Sequence, residues 1–153
     1  MKTLVTGASG HIGANLVRAL LEKGRTVRVL THKDQRALEG LNIETVSGNI
    51  CDLESVSKAC RGVKVVYHLA GCISLSMNDW PLLESVNVLG TRNVVTACLK
   101  QKVKRLVHFS SIHSLAQGAV YARIDETCNL VEADDASPYS RSKAEGEREI
   151  LKG

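Results

Sequence analysis

Thr6-Gly7-Ala8-Ser9-Gly10-His11-Ile12-Gly13 decides how this chain is read. A short β-branched run, Lys2–Thr6, leads into it. A segment with helical apolar spacing follows, carrying Ile12, Leu16, Ala19, Leu20 and Leu21 before Gly24. Three glycines at intervals of three therefore sit at a strand-to-helix turn. Gly7 permits the tight turn, Gly10 lets the backbone approach a pyrophosphate, and Gly13 lets helix and strand pack closely. The free N–H groups and the dipole of the helix start favour an anion there. Ser9, His11 and Ile12 join the glycines as candidate contacts to a dinucleotide. The spacing alone is weak evidence, and a turn made glycine-rich for packing is the alternative. The position at the first strand-to-helix turn gives the motif its force.

Outward from this turn, strands and helices alternate. Thr26–Thr31, Ile43–Val46, Val63–Leu69 and Leu106–Phe109 read as strands, and Leu53–Cys60, Trp80–Lys100 and Ser137–Leu151 as helices. Such alternation implies βαβ crossovers and a parallel sheet. Right-handed crossovers then leave a doubly wound, Rossmann-like α/β fold of about five strands, one domain over residues 1–153. The strands are nearly continuous apolar runs, as expected where helices cover both faces. Ser111–Ser137 is the one long irregular stretch, of the kind that serves as a lid or binding loop.

The 153 residues are 44% hydrophobic and 24% charged, with 12 Gly and 2 Pro, which excludes a collagen, a disulfide scaffold and a disordered chain. The net charge of +4 is spread along the chain. Its densest basic run, Lys100–Arg105, falls at a helix end, where the dipole and solvent account for it. Aromatics are 3% of the chain, too few to interleave with basic residues, so no nucleic-acid partner is expected. No apolar run reaches membrane-spanning length and no signal-peptide core precedes the glycines. A cytoplasmic protein with no membrane partner is the expectation. Cys51, Cys60, Cys72, Cys98 and Cys128 contain no CxxC pair, so no metal site is expected and all five read as reduced, buried thiols.

The second strand should end at an adenosine ribose, where an acidic residue marks NAD. This chain has Thr31 and His32 there, and Asp34 comes late. His32, Lys33 and Arg28 could instead meet a 2′-phosphate, which leans the cofactor from NAD towards NADP(H). Asp52, with Leu53 after it, reads equally as a contact at the adenine edge and as the N-cap of the next helix. Ser137 as N-cap and Pro138 at the first helical position place Tyr139 and Lys143 in a helix's opening turns, on one face. A phenol keeps its proton at neutral pH, and an ammonium beside it favours the phenolate, which suits acid/base work. Alone, such a pair is more simply a surface pair; the glycine turn upstream lifts it. Ser111, at the carboxyl end of the fifth strand, can donate to a substrate carbonyl oxygen. Ser110 reads as structural or cofactor-facing.

TGASGHIG at 6–13, VVYHLAG at 65–71, NVLGTRNVV at 87–95, RLVHFSS at 105–111 and PYSRSKAEGE at 138–147 together resemble the extended branch of the short-chain dehydrogenase/reductase superfamily, the NAD-dependent epimerase/dehydratase family. NVLGTRNVV and RLVHFSS are similar to dihydroflavonol-reductase-like and hydroxysteroid-dehydrogenase-like members. The resemblance implies an NAD(P)-dependent oxidoreductase moving a hydride between nicotinamide and a carbonyl or alcohol carbon. It implies catalytic roles for Ser111, Tyr139 and Lys143, a cofactor border at Leu69, Ala70 and Gly71, and Asn87 near the nicotinamide end. A small-molecule substrate and a homodimer through the helices at 80–100 and 137–151 are also implied. In the family, sixth and seventh strands and a substrate-binding part follow the Tyr–Lys helix. The chain is therefore expected to lack them and to leave strand five at the sheet edge. The competing readings are a nucleotide-sugar epimerase or dehydratase, a non-catalytic dinucleotide-binding module, and an inactive fragment. His113 reads as lining the substrate pocket or as a solvated loop residue.

Overall fold

Strand β1 (Lys2–Thr6) lies at the centre of a parallel sheet, between β2 (Thr26–Thr31) and β4 (Val65–His68). The edges are β3 (Glu44–Ser47) and β5 (Arg105–His108), giving the order β3-β2-β1-β4-β5. The computed structural model describes residues 1–32, 34–116, 123–133 and 136–153. Thr6 is in register with Leu30 and His68, so β1, β2 and β4 end together along one edge. Alternate strand residues face opposite sides. Leu4, Leu30 and Val66 pack with Val56, Ala59, Val94 and Ala97 on one face, and Val5 and Val29 pack with Val17, Leu20 and Leu38 on the other. Helix α1 (His11–Glu22) covers the second face and α2 (Leu53–Cys60) the first. Both faces are covered, as the unbroken apolar strands require.

The helical run from Trp80 to Lys100 is not uniform. It consists of α3 (Trp80–Leu83), a π-helical stretch (Glu84–Leu89) and α4 (Gly90–Lys100). A periodic sequence pattern does not announce a π insertion, and such insertions concentrate at functional sites. The last helix, α5 (Pro138–Leu151), packs on the π stretch and on α4. The stretch after β5 is less irregular than its sequence suggests, holding a 3₁₀ turn at Ile112–Ser114 and an antiparallel bridge between Leu115 and Leu130.

Two expectations are corrected. Arg28 is buried, and its guanidinium donates to Ala59 O at 2.6 Å, Arg61 O at 2.7 Å and Glu44 Oε1 at 2.7 Å. It satisfies the final carbonyls of α2 and does not line the cleft at the end of β2. Among the cysteines, only Cys60 and Cys98 are buried; Cys51 is exposed and Cys72 and Cys128 are half-buried, all five as free thiols. No helix among the described residues is long and apolar enough to cross a membrane.

Candidate active site

The glycine turn is built by close backbone contact. Gly7 has φ +67°, and a Cβ there would stand 2.5 Å from Ala70 N and 2.6 Å from Leu69 C. A Cβ on Gly13 would collide with Gly7 O and sit 2.8 Å from Ala8 Cα. Gly13 thus packs helix against turn backbone, a refinement of the helix–strand contact expected from the motif. Gly10 differs, since a Cβ there would meet only Gly7 O, at 3.3 Å. Two glycines therefore close the turn and one leaves its front open to a ligand. Gly10 is also the N-cap of α1, with no side-chain cap and no acidic residue in the first turn. The opening N–H groups of α1 are left for an anion.

A cleft of about 650 Å³ runs from Gly7, Ser9 and Gly10 to His32 beyond β2, and to Leu69, Ala70 and Gly71 after β4. Asn49, Ile50 and Cys51 after β3, with Ser85 and Val86 of the π stretch, complete it. No motif marks these residues; only the sheet order brings them opposite the turn. A second hollow of about 310 Å³ shares the glycine turn and joins His11, Ile12 and Gly13 to Ser110, Tyr139 and Lys143. Asp52 and Leu53 line neither hollow. Asp52 caps α2, accepting from the N–H groups of Glu54 and Ser55 at 3.1 Å each, and these bonds with the Ser55 hydroxyl hold its carboxyl below the usual range. Asp34 is occupied by Arg36, which grips it through Nε at 3.0 Å and Nη2 at 2.7 Å. Lys33 lies outside the described residues.

The start of α5 follows from its sequence. Ser137 Oγ accepts from Ser140 N at 3.2 Å, and Pro138 needs no partner for a missing N–H. The Arg141 guanidinium lies 3.8 Å from the centroid of the Trp80 ring, fixing this turn against α3. Tyr139 and Lys143 then reach the same hollow. Lys143 Nζ donates to Phe109 O at 2.8 Å, and burial pushes its pKa down while Glu147 opposes the shift. Ser110 Oγ donates to Glu147 Oε2 at 2.5 Å, and Ser114 Oγ lies 3.1 Å from the same oxygen. Ser110 thus makes a bond within the fold and also lines the hollow it shares with the glycine turn. Ser111 does not line the hollow that holds Tyr139 and Lys143. Its Oγ accepts from His113 N at 3.2 Å, capping the 3₁₀ turn, and it faces a different hollow with Ile112 and Ser114. His113 meets the Tyr139 ring edge-on, centroids 6.1 Å apart.

A buried relay holds the walls together. Ala70 N donates to Thr6 Oγ1 at 3.3 Å, and Thr6 Oγ1 lies 2.8 Å from His68 Nδ1. His68 Nε2 lies 3.0 Å from Thr91 Oγ1, whose own proton goes to Asn87 O at 2.7 Å. These partners assign His68 as a neutral imidazole protonated at Nε2. Burial first, then His108 and Lys143, push its pKa well down. His108 stacks on His68 at 5.2 Å, and burial lowers its pKa to about 4. Asn87 itself lines neither hollow; its side chain accepts from Cys72 N at 2.7 Å and donates to Cys72 O and Ser142 Oγ, each at 2.9 Å. It is the clamp of the loop after β4, reached from the π stretch.

The family model of the NAD dependent epimerase/dehydratase family matches residues 3–152. The chain belongs to that family. It is 38% identical over 156 residues to sterol demethylase protein B of Methylococcus capsulatus, covering 99% of this chain and 46% of that protein. It is 36% identical over 151 residues to a Synechocystis protein carrying a dihydroflavonol 4-reductase name, covering 96% and 43%. The UDP-glucose 4-epimerase of Thermus thermophilus, solved with NAD, superposes with a TM-score of 0.83 at 33% identity, covering 99% of this chain and 50% of that one. The chain spans about half the length of the relatives it matches.

Proposed function

We propose that this chain is the dinucleotide-binding and acid/base portion of an NAD(P)-dependent oxidoreductase acting on a small carbonyl or alcohol substrate. One observation carries the reading: the glycine turn, Tyr139 and Lys143 line a single hollow of about 310 Å³. The residues fit a dinucleotide, because the open front of Gly10 and the uncapped start of α1 make a cradle that a side chain would fill. Gly7, Gly10 and Gly13 would hold the diphosphate, with Ser9, His11, Ile12 and Ser110 around it and Leu69, Ala70 and Gly71 along the far side. When bound, the nicotinamide gives or takes the hydride. Tyr139 moves the proton at the substrate oxygen. Lys143, anchored on Phe109 O, brings its ammonium into the hollow that Tyr139 also lines, where it would orient the substrate and cofactor. Ser111 serves as the second donor to the substrate oxygen only when its side chain turns from the His113 cap towards Tyr139.

NADP(H) remains the cofactor favoured by the end of β2. Among the described residues no free carboxylate lines the cleft there: His32 does, and Asp34 is held by Arg36. Five free thiols fit the reducing cytoplasm. A homodimer through the helices at 80–100 and 137–151 fits the exposed Leu89, Leu99 and Leu151 along them. A nucleotide-sugar epimerase is the second reading, favoured by the likeness to the Thermus enzyme. The test is calorimetric titration of the chain with NADPH and NADH, with Tyr139→Phe alongside. Tighter NADPH binding, kept in the variant, is expected. Tighter NADH binding overturns the cofactor choice, and binding of neither overturns the function.

A further inference from the structure

Glu147 stands one turn beyond Lys143 on α5, on the same face of the helix. Both side chains reach one short piece of chain after β5. Lys143 Nζ donates to Phe109 O at 2.8 Å, and Ser110 Oγ, on the very next residue, donates to Glu147 Oε2 at 2.5 Å. The peptide between Phe109 and Ser110 is thus tied to α5 on both sides. Ser114 Oγ lies 3.1 Å from the same carboxylate oxygen and 3.1 Å from Ser110 Oγ, so one carboxylate gathers both ends of the 110–114 turn. Lys143 is buried, and burial disfavours its ammonium. His68 and His108 lie close enough to feel its charge, but both are kept neutral and supply none of the opposite sign. Glu147 supplies it and opposes the loss of the ammonium. It lines the hollow of Ser110, Ser111 and Ser114, not the one that holds Tyr139 and Lys143.

We propose that Glu147 is a positioning residue for Lys143, giving its buried ammonium a counter-charge and, through Ser110, fixing the carbonyl that anchors it. The inference rests on the function proposed above and adds a residue to that site. A buried cation is costly unless charge and hydrogen bonds compensate it. Phe109 O supplies the bond and Glu147 the charge, from behind the hollow and without touching a ligand there. A carboxylate that only fastened the 110–114 turn would be replaceable, because an amide oxygen accepts from a serine hydroxyl as well. The two roles therefore part at the charge of Glu147, which acts on Lys143 across space, and not at its hydrogen bonds.

The experiment follows the ¹³Cε signals of the lysines in the 153-residue chain through an alkaline titration, with Lys143 assigned by its loss in Lys143→Met. Glu147→Gln keeps the acceptor for Ser110 and removes the charge. It is expected to raise the acid dissociation constant of Lys143 about tenfold. An unfolded variant moves that constant the other way, towards the ordinary lysine value, so the direction separates lost charge from lost fold. Glu147→Asp keeps the charge and should hold Lys143 within about threefold of the parent. An unmoved Lys143 in folded Glu147→Gln, or a change in Glu147→Asp as large as the one expected for Glu147→Gln, overturns the proposal. Should Glu147→Gln unfold, Glu147→Asp decides alone. NADPH titration of the parent keeps the two ideas apart. Lys143 responding to Glu147→Gln in a chain that binds no dinucleotide keeps the counter-charge and sinks the oxidoreductase reading, and NADPH binding with an unmoved Lys143 does the opposite.

Discussion

The glycine turn after β1 and the seam between β5 and α5 face each other across one cleft, yet they are held by opposite means. In the turn, backbone lies against backbone: Gly7 on Ala70 and Leu69, Gly13 on Gly7 and Ala8. Side chains contribute little, and the geometry is a matter of hard-sphere contact. In the seam, side chains do the holding. Lys143 reaches Phe109, Ser110 reaches Glu147, and Asn87 clamps Cys72 to Ser142. In the proposed function the turn meets the invariant part of a dinucleotide, its diphosphate, for which a fixed backbone cradle suffices. In the same proposal the seam meets the reacting atoms, where protons are held and moved, and it is built from groups that can carry them.

This contrast breaks most sharply at Gly7. Gly7→Ala combines a disfavoured positive φ with a methyl driven into the end of β4, and should cost about 4 kcal/mol and abolish dinucleotide binding, read by urea denaturation and calorimetry. A variant as stable as the parent would show that the turn relaxes and that hard contact does not define it. Next in size is Asn87→Ala, which strips partners from Cys72 N–H, Cys72 O and Ser142 and should cost about 2.5 kcal/mol. It should loosen the hollow at Tyr139 more than the diphosphate cradle, visible as faster amide exchange at Cys72 and Ile73 with that of Gly7 unchanged.

The smallest effect is that of pH, and His108 of the seam contributes to it. The unfolded chain protonates His108 near its ordinary value of 6.5, whereas the folded protein resists until about 4. The unfolded state thus binds more protons between those values. Stability is full above about pH 6.5 and is lost as pH falls, by about 2 kcal/mol at pH 5 from His108 alone. His68 is shifted in the same direction and adds to the loss. Urea midpoints at pH 7 and pH 5 check this, and His108→Phe should flatten the difference. A midpoint that rises on acidification would contradict buried neutral imidazoles.

Much of the architecture was legible before the structure. Helix α2 begins and ends at Leu53 and Cys60, as its apolar spacing and Asp52 cap suggest, and β2 spans Thr26–Thr31 as read. Tyr139 and Lys143 share a hollow because a Ser-Pro start and a four-residue interval dictate it. Other readings failed where the partner is distant in sequence. Arg28 looked available to a phosphate and is spent on the end of α2, and nothing local announces that Asn87 clamps Cys72 to Ser142. The π stretch and the capping of the 3₁₀ turn by Ser111 left no periodic trace.

What the sequence determined by itself is local: the order of strands and helices, with the bounds of β1, β2 and α2, the tight turn at Gly7, the common face of Tyr139 and Lys143. Backbone sterics and side-chain period act within a few residues, so they can be read from neighbours. The tertiary structure alone decided which polar groups are already satisfied, from the Thr6–His68–Thr91–Asn87 relay to the serines on Glu147. A hydrogen bond spends a donor on one partner, and the fold selects that partner from anywhere along the chain.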